Sequence, residues 1–159
     1  MKALRVPRLF TGLSPFLAAG SAFTLAALLL AGPISAWSDR SGDLRVTKEC
    51  TQYTGLPGSF CTITSSNLGA IKAGSKVFYD QGAGVPAGML DSNVVLDAGS
   101  GNRAVGRCTL DFASGSGLCT FSDGTGTFAG FQARVNVSYL GGPNYRWAGT
   151  YSFGSDHDH

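Results

Sequence analysis

In the segment GFQARVNVSYL, residues 130–140, Phe131, Ala133, Val135, Val137 and Tyr139 alternate with Gln132, Arg134, Asn136 and Ser138. A period of two puts the first set on one face of a β-strand and the second on the other. The same alternation sets Gly106, Cys108, Leu110 and Phe112 against Arg103, Val105, Arg107, Thr109 and Asp111, and gathers Tyr145, Trp147, Gly149, Tyr151 and Phe153 on one aromatic face. Further strand-like runs are LRVTKECTQY and SFCTITSS, which form a hairpin, then GSKVFYDQ, SNVVLDA and GLCTFSD. Turn residues separate them, and no helical periodicity occurs after residue 37. The pattern predicts an all-β domain of about eight short strands, a barrel or a sandwich. Closure into a barrel is favoured, because few strands carry the lysine or proline that guards an open edge. Alternation alone leaves open which face lines the interior.

The first 36 residues follow another rule. Lys2, Arg5 and Arg8 precede a stretch without charge from Leu9 to Ser38, and the apolar run FTLAALLLAG leads to a small residue, Ala36. This predicts a secretory signal peptide over 1–36, with an uncleaved membrane anchor as the alternative, a barrel domain over 37–153 and a disordered tail over 154–159. The export signal predicts a secreted or periplasmic protein. Cleavage there removes three of twelve Lys and Arg, leaving nine against ten Asp and Glu. The domain is then nearly neutral, which excludes a basic nucleic-acid-binding surface, and no membrane association is expected after cleavage.

Cys50 and Cys61 are eleven residues apart, as are Cys108 and Cys119, and turn residues lie within each interval. If each interval is a hairpin, each cysteine faces its mate across two strands, so the expected disulfides are Cys50–Cys61 and Cys108–Cys119. The close-paired spacing of a zinc site is absent, and the histidines, His157 and His159, lie in the tail. No metal and no cofactor is expected.

Gly124, Thr125, Gly126, Phe128 and Gly130, followed by the strand FQARV and the final aromatic strand WAGTYSF, form a pattern that resembles the allene oxide cyclase and dirigent superfamily. The segments GSKVFYDQ and AVGRC resemble earlier strands of the same families, and the likeness covers residues 70–153. The resemblance implies an eight-stranded antiparallel β-barrel of calycin type, around an apolar cavity and often oligomeric. It also implies cyclisation, or stereochemical steering, of a small apolar substrate. The cavity arginine of dirigent proteins falls at Gln132, with Arg134 two residues on and on the same face. The aspartate that some of them carry in the glycine turn falls at Gly126. The cyclase branch uses a glutamate and an asparagine in its first strand; this chain has a single glutamate, Glu49, with no asparagine beside it.

The candidate catalytic residues are therefore Glu49, Gln132 and Arg134, and the candidate ligand-binding residues are Tyr53, Asp80, Arg107 and Trp147. Polar groups inside a barrel would meet developing charge, while aromatic rings would cover an apolar ligand. The same residue types serve equally as solvated strand faces and packed cores. Asp97 and Asp123 read as turn residues. A nucleophilic triad is excluded, because the domain has no histidine. Three functions fit: a cofactor-free cyclase or isomerase, a lipocalin-style binder of a small apolar ligand, and a surface-interaction protein with a filled lumen. A homo-oligomer is expected in the first two.

Overall fold

In the computed structural model, residues 41–154 are described; the expected signal segment and most of the expected tail lie outside them. Eight strands follow one another: β1 (Ser41–Glu49), β2 (Phe60–Ser66), β3 (Lys76–Tyr79), β4 (Met89–Asp97), β5 (Arg103–Asp111), β6 (Ser116–Thr125), β7 (Phe131–Gly141) and β8 (Asn144–Phe153). One helical turn, Gly126–Phe128, lies between β6 and β7. Each strand pairs antiparallel with the next, and β1 pairs with β8 along its whole length, from Ser41 opposite Ser152 to Glu49 opposite Asn144. This closes an eight-stranded antiparallel barrel and leaves no free edge. The first strand differs from its expected span: it starts at Ser41 and stops at Glu49, and the chain turns through Cys50–Tyr53.

Closure decides the faces. Leu44, Val46 and Lys48 of β1 point inward, as do Cys61 and Ile63 of β2, Val77 and Tyr79 of β3, and Leu90, Ser92, Val94 and Leu96 of β4. On β7, Phe131, Ala133, Val135 and Val137 are buried while Gln132, Arg134 and Asn136 are exposed. The predicted apolar layer is thus the lumen. Outside, Arg107 forms a two-pronged ion pair with Asp91 at 2.8 Å, and Arg103 meets Asp97 at 3.0 Å. Both pairs are exposed and contribute little to stability.

The two ends of the barrel differ in kind. The connections β2–β3, β4–β5 and β6–β7 lie at one end, together with both ends of the described chain. There the glycine turn folds Phe128 inward, fully buried and 5.3 Å from the ring of Phe131. Gly126 and Gly130 take left-handed φ angles of 61° and 69°, which only glycine adopts without strain. Phe121, Phe131 and Trp147 continue the plug, with 5.5 Å between the rings of Phe121 and Trp147. Side chains fill this half of the barrel.

Such tight closure needs small residues where strands bend. Gly149 of β8 faces inward between Leu44 of β1 and Val135 of β7. A Cβ built there would collide with the Arg134 carbonyl oxygen and lie 2.8 Å from the Val135 Cα. Gly149→Ala is accordingly expected to cost about 3 kcal/mol, as overpacking that the backbone must absorb. Gly69→Ala, where an added Cβ meets nothing within 4 Å, is expected to stay within about 0.5 kcal/mol of wild type. Urea midpoints of the two variants check this; equal midpoints would refute the close-approach role.

Candidate functional site

At the other end the barrel is not filled. β1 delivers Lys48 there because Leu44, Val46 and Lys48 share one phase of the strand, so the lysine continues the buried stripe one step beyond the core. Against β2 the register shifts between Thr47 and Lys48 and skips Thr64, so that Lys48 stands opposite Ile63. The outward Thr47 hydroxyl holds this bulge through hydrogen bonds to Thr64 at 2.7 Å and Ser65 at 2.6 Å. Bulges commonly re-aim side chains beside functional sites.

Lys48 is only 4% exposed. Its Nζ is hydrogen-bonded to Tyr79 Oη and lies 4.8 Å from the ring centre of Trp147, 5.2 Å from that of Tyr79 and 5.8 Å from that of Tyr145. None of the three ion pairs among the described residues includes it. An ammonium group there loses its hydration without gaining a counter-charge, and burial pulls its pKa from 10.5 to about 7. The aromatic faces favour the charged form by a smaller amount. The result is an amine that interconverts between its two states near neutral pH. Burial, reinforced by the neighbouring Tyr53 and Tyr145, pushes the Tyr79 hydroxyl well above the usual tyrosine range. Tyr79 therefore remains a neutral proton donor wherever Lys48 titrates.

Lys48 and Tyr79 line a cleft of about 40 Å³ together with Tyr53, Tyr145, Leu90, Leu110, Val137 and Phe112, and with all four cysteines. Both expected disulfides are present, Cys50–Cys61 and Cys108–Cys119, and both form part of its wall. Such bonds are typical of proteins in oxidising compartments. The Tyr53 ring stands edge-on to Tyr79 at 5.1 Å, and its buried hydroxyl has no hydrogen-bond partner among the described residues. No carboxylate lines the cleft.

The rim is apolar. Leu56, Val85, Met89, Phe112, Tyr139 and Leu140, six of the seven large hydrophobic side chains exposed among the described residues, belong to the four connections at this end or to the strand ends beside them. Apart from Asp80 these connections carry no charge. Clustered apolar exposure of this kind marks a contact or ligand surface more often than scattered single residues do.

Of the residues nominated from sequence, Tyr53 lies in the cleft, and Trp147 is fully buried immediately beneath Lys48. The others lie elsewhere. Glu49 follows Lys48 in the opposite strand phase, while Gln132 and Arg134 are exposed on the outer face of β7. Arg107 is exposed and committed to Asp91. Asp80 is exposed and accepts hydrogen bonds from Asn93 at 3.0 Å and the Ser92 hydroxyl at 3.2 Å, joining the end of β3 to β4. Strand phase turns Glu49, Arg107, Gln132 and Arg134 from the lumen, and Asp80 lies just past the end of β3. Sequence reading passed over Lys48 and Tyr79 as a pair, although a lysine in register with Leu44 and Val46 was the available signal.

The fold and site define a small closed barrel with one aromatic-packed end and one open end built around a buried lysine. No protein-family model, curated protein or solved structure matches the chain. Among the described residues no helix is long and apolar enough to cross a membrane, and no three His, Cys, Asp or Glu side chains are grouped as a metal site.

Proposed function

We propose that this is a secreted barrel protein that takes the polar end of a small, largely apolar molecule into the cleft at Lys48 and Tyr79 and rearranges it without a cofactor, as an isomerase or cyclase. The observation that carries the reading is the Lys48–Tyr79 pair, an amine near its titration midpoint hydrogen-bonded to a neutral phenol, at the base of an apolar mouth. Such a pair supplies a base and an acid at neighbouring atoms. The unpartnered Tyr53 hydroxyl adds a donor for a ligand oxygen. The cleft has room for about three water molecules, enough for a carbonyl or hydroxymethyl end group. The body of the ligand would lie across the rim.

A second reading is favoured by a separate observation. With no carboxylate in the cleft and Glu49, Gln132 and Arg134 facing away from it, the site has fewer proton-transfer groups than the cyclase reading had anticipated. This suits a binder that holds its ligand unchanged. The secretory signal read over residues 1–36 and the two disulfides support export in either case.

Thermal unfolding with a panel of four- to ten-carbon alcohols, ketones and phenols tests the shared core of both readings. Saturation a hundredfold above Kd is expected to add about 2.7 kcal/mol and raise the midpoint by several degrees. Lys48→Met should weaken the response to oxygen-bearing ligands. A flat response across the panel would remove both readings. Turnover of a bound member, followed by NMR, separates the isomerase from the binder.

A further inference from the structure

We infer that Lys48 is a carbonyl-reactive amine that forms an imine with small aldehydes and methyl ketones carrying an apolar body. The inference deepens the proposed ligand site and rests on that cleft being open to small molecules. Three features of the geometry carry it.

The first is position. Lys48 and Tyr79, joined through Nζ and Oη, both line the cleft, and no acidic side chain lines it to hold the amine as an ammonium ion. The second is the adjacency of amine and phenol. The Tyr79 O–H lies within hydrogen-bond reach of Nζ, so when it turns to donate to a carbonyl oxygen entering beside it, the lone pair of the neutral amine is free for attack on the carbonyl carbon. The third is size. A cleft of about 40 Å³ admits a carbonyl group with one or two attached carbons, while exposed Phe112 and half-buried Tyr53 and Tyr145 border the space where the remainder would lie. Burial without a counter-charge, which holds a large share of Lys48 unprotonated at neutral pH, supports the same assignment.

The step balances within the pair and the ligand. The Lys48 lone pair forms the C–N bond as the C=O π pair moves to oxygen, which takes the Tyr79 proton. The nitrogen returns a proton to the Tyr79 oxygen, giving a neutral carbinolamine. The nitrogen lone pair then forms C=N as the hydroxyl leaves with the Tyr79 proton as water. The remaining N–H proton restores Tyr79. The sum is amine plus carbonyl to imine plus water, and no redox partner is needed.

Reductive trapping tests this. Purified protein is incubated at pH 7 with propanal, butanal or benzaldehyde and sodium cyanoborohydride, which delivers hydride to an imine and spares disulfides. Intact mass and peptide mapping then compare Lys48 with Lys72 and Lys76, both exposed. Labelling of Lys48 is expected to run at least tenfold faster than at either exposed lysine. Tyr79→Phe should slow it at least tenfold while leaving Lys72 and Lys76 unchanged. Lys48→Met, in which the buried charge is removed, should lose the fast adduct altogether. Preferential labelling of Lys72 or Lys76 in protein with a native thermal midpoint would overturn the inference. The matched alcohols distinguish this failure from that of the ligand site itself. If butanol raises the midpoint but butanal leaves Lys48 unlabelled, the cleft binds and the amine does not react; if neither acts, the ligand site falls as well.

Discussion

Replacing Lys48 with methionine is expected to stabilise the protein at pH 7 and to abolish most of its stability change between pH 7 and pH 10. In the folded chain the Lys48 pKa is about 7, against an ordinary value of 10.5 for the unfolded chain. Between these two values the unfolded state binds more protons than the folded one, so stability rises with pH across that window. Below pH 7 the full cost of burying the amine applies, and above 10.5 it vanishes. At about 1.4 kcal/mol per pH unit, this amounts to several kcal/mol. Methionine fills a similar volume and removes the cost, but it leaves the buried Tyr79 hydroxyl without its partner, a loss of about 1–3 kcal/mol. The net gain at pH 7 is about 2 kcal/mol, or roughly 5–10 °C in the midpoint.

The advantage of the variant should shrink as pH rises and reverse near pH 9, where the remaining cost of burying the amine falls to about the 2 kcal/mol lost at Tyr79. At still higher pH the tyrosines act in the opposite sense. Tyr53, Tyr79 and Tyr145 have raised pKa values in the folded state, so above pH 10 the unfolded chain loses their protons first and stability falls. Wild type should therefore be most stable near pH 10. Thermal or urea unfolding of both proteins from pH 6 to pH 10 checks this. Parallel curves would mean that Lys48 is not titrating in the folded barrel.

Loss of both disulfides is expected to have the largest effect of any change to the domain. Each closes an interval of eleven residues, for which the chain-entropy relation gives about 3 kcal/mol. Together they contribute about 6 kcal/mol, comparable with the whole stability of a small domain. Removing Cys108–Cys119 alone should lower the midpoint by roughly 10–20 °C. A variant with all four cysteines replaced by alanine should be largely unfolded at 37 °C. The bonds should also differ in the order of their reduction. Cys108 and Cys119 are both buried, whereas Cys50 is partly exposed beside its buried mate Cys61. Thiol attack requires access to a sulfur, so dithiothreitol should open Cys50–Cys61 first. Timed alkylation and mass mapping record that order, and earlier alkylation of Cys108 and Cys119 would contradict it. Because both bonds line the cleft, ligand-induced stabilisation should be lost with the first bond reduced.

Glu49, the single glutamate of the chain, is the residue that the cyclase resemblance points to in the first strand. The residue of that strand that reaches the cleft is its neighbour Lys48, displaced by one position and hence by one face. A one-residue step reverses orientation in a strand, so a residue type without its phase is a poor guide to a site. The same reversal leaves Gln132 and Arg134 in solvent although they share a strand with Phe131 and Val135. Tyr53 belongs to the turn after β1, where no periodicity applies, yet its chemistry as an amphipathic ring was enough to nominate it.

The number of strands, most of their positions along the chain and the pairing of the cysteines are legible in the amino-acid pattern. All of these depend on local alternation and on intervals of about a dozen residues, within which a hairpin fixes what faces what. Which face is the lumen, which end is plugged and which is open are fixed by closure of the barrel. Those properties follow from the pairing of β1 with β8, in which Ser41 meets Ser152 across the whole domain. That closure turns Lys48 inward onto Tyr79 and Trp147, three residues from three strands that no short window of sequence brings together. The site owes its chemistry to that meeting, because an isolated lysine in water keeps its ordinary pKa and only burial among aromatic neighbours changes it.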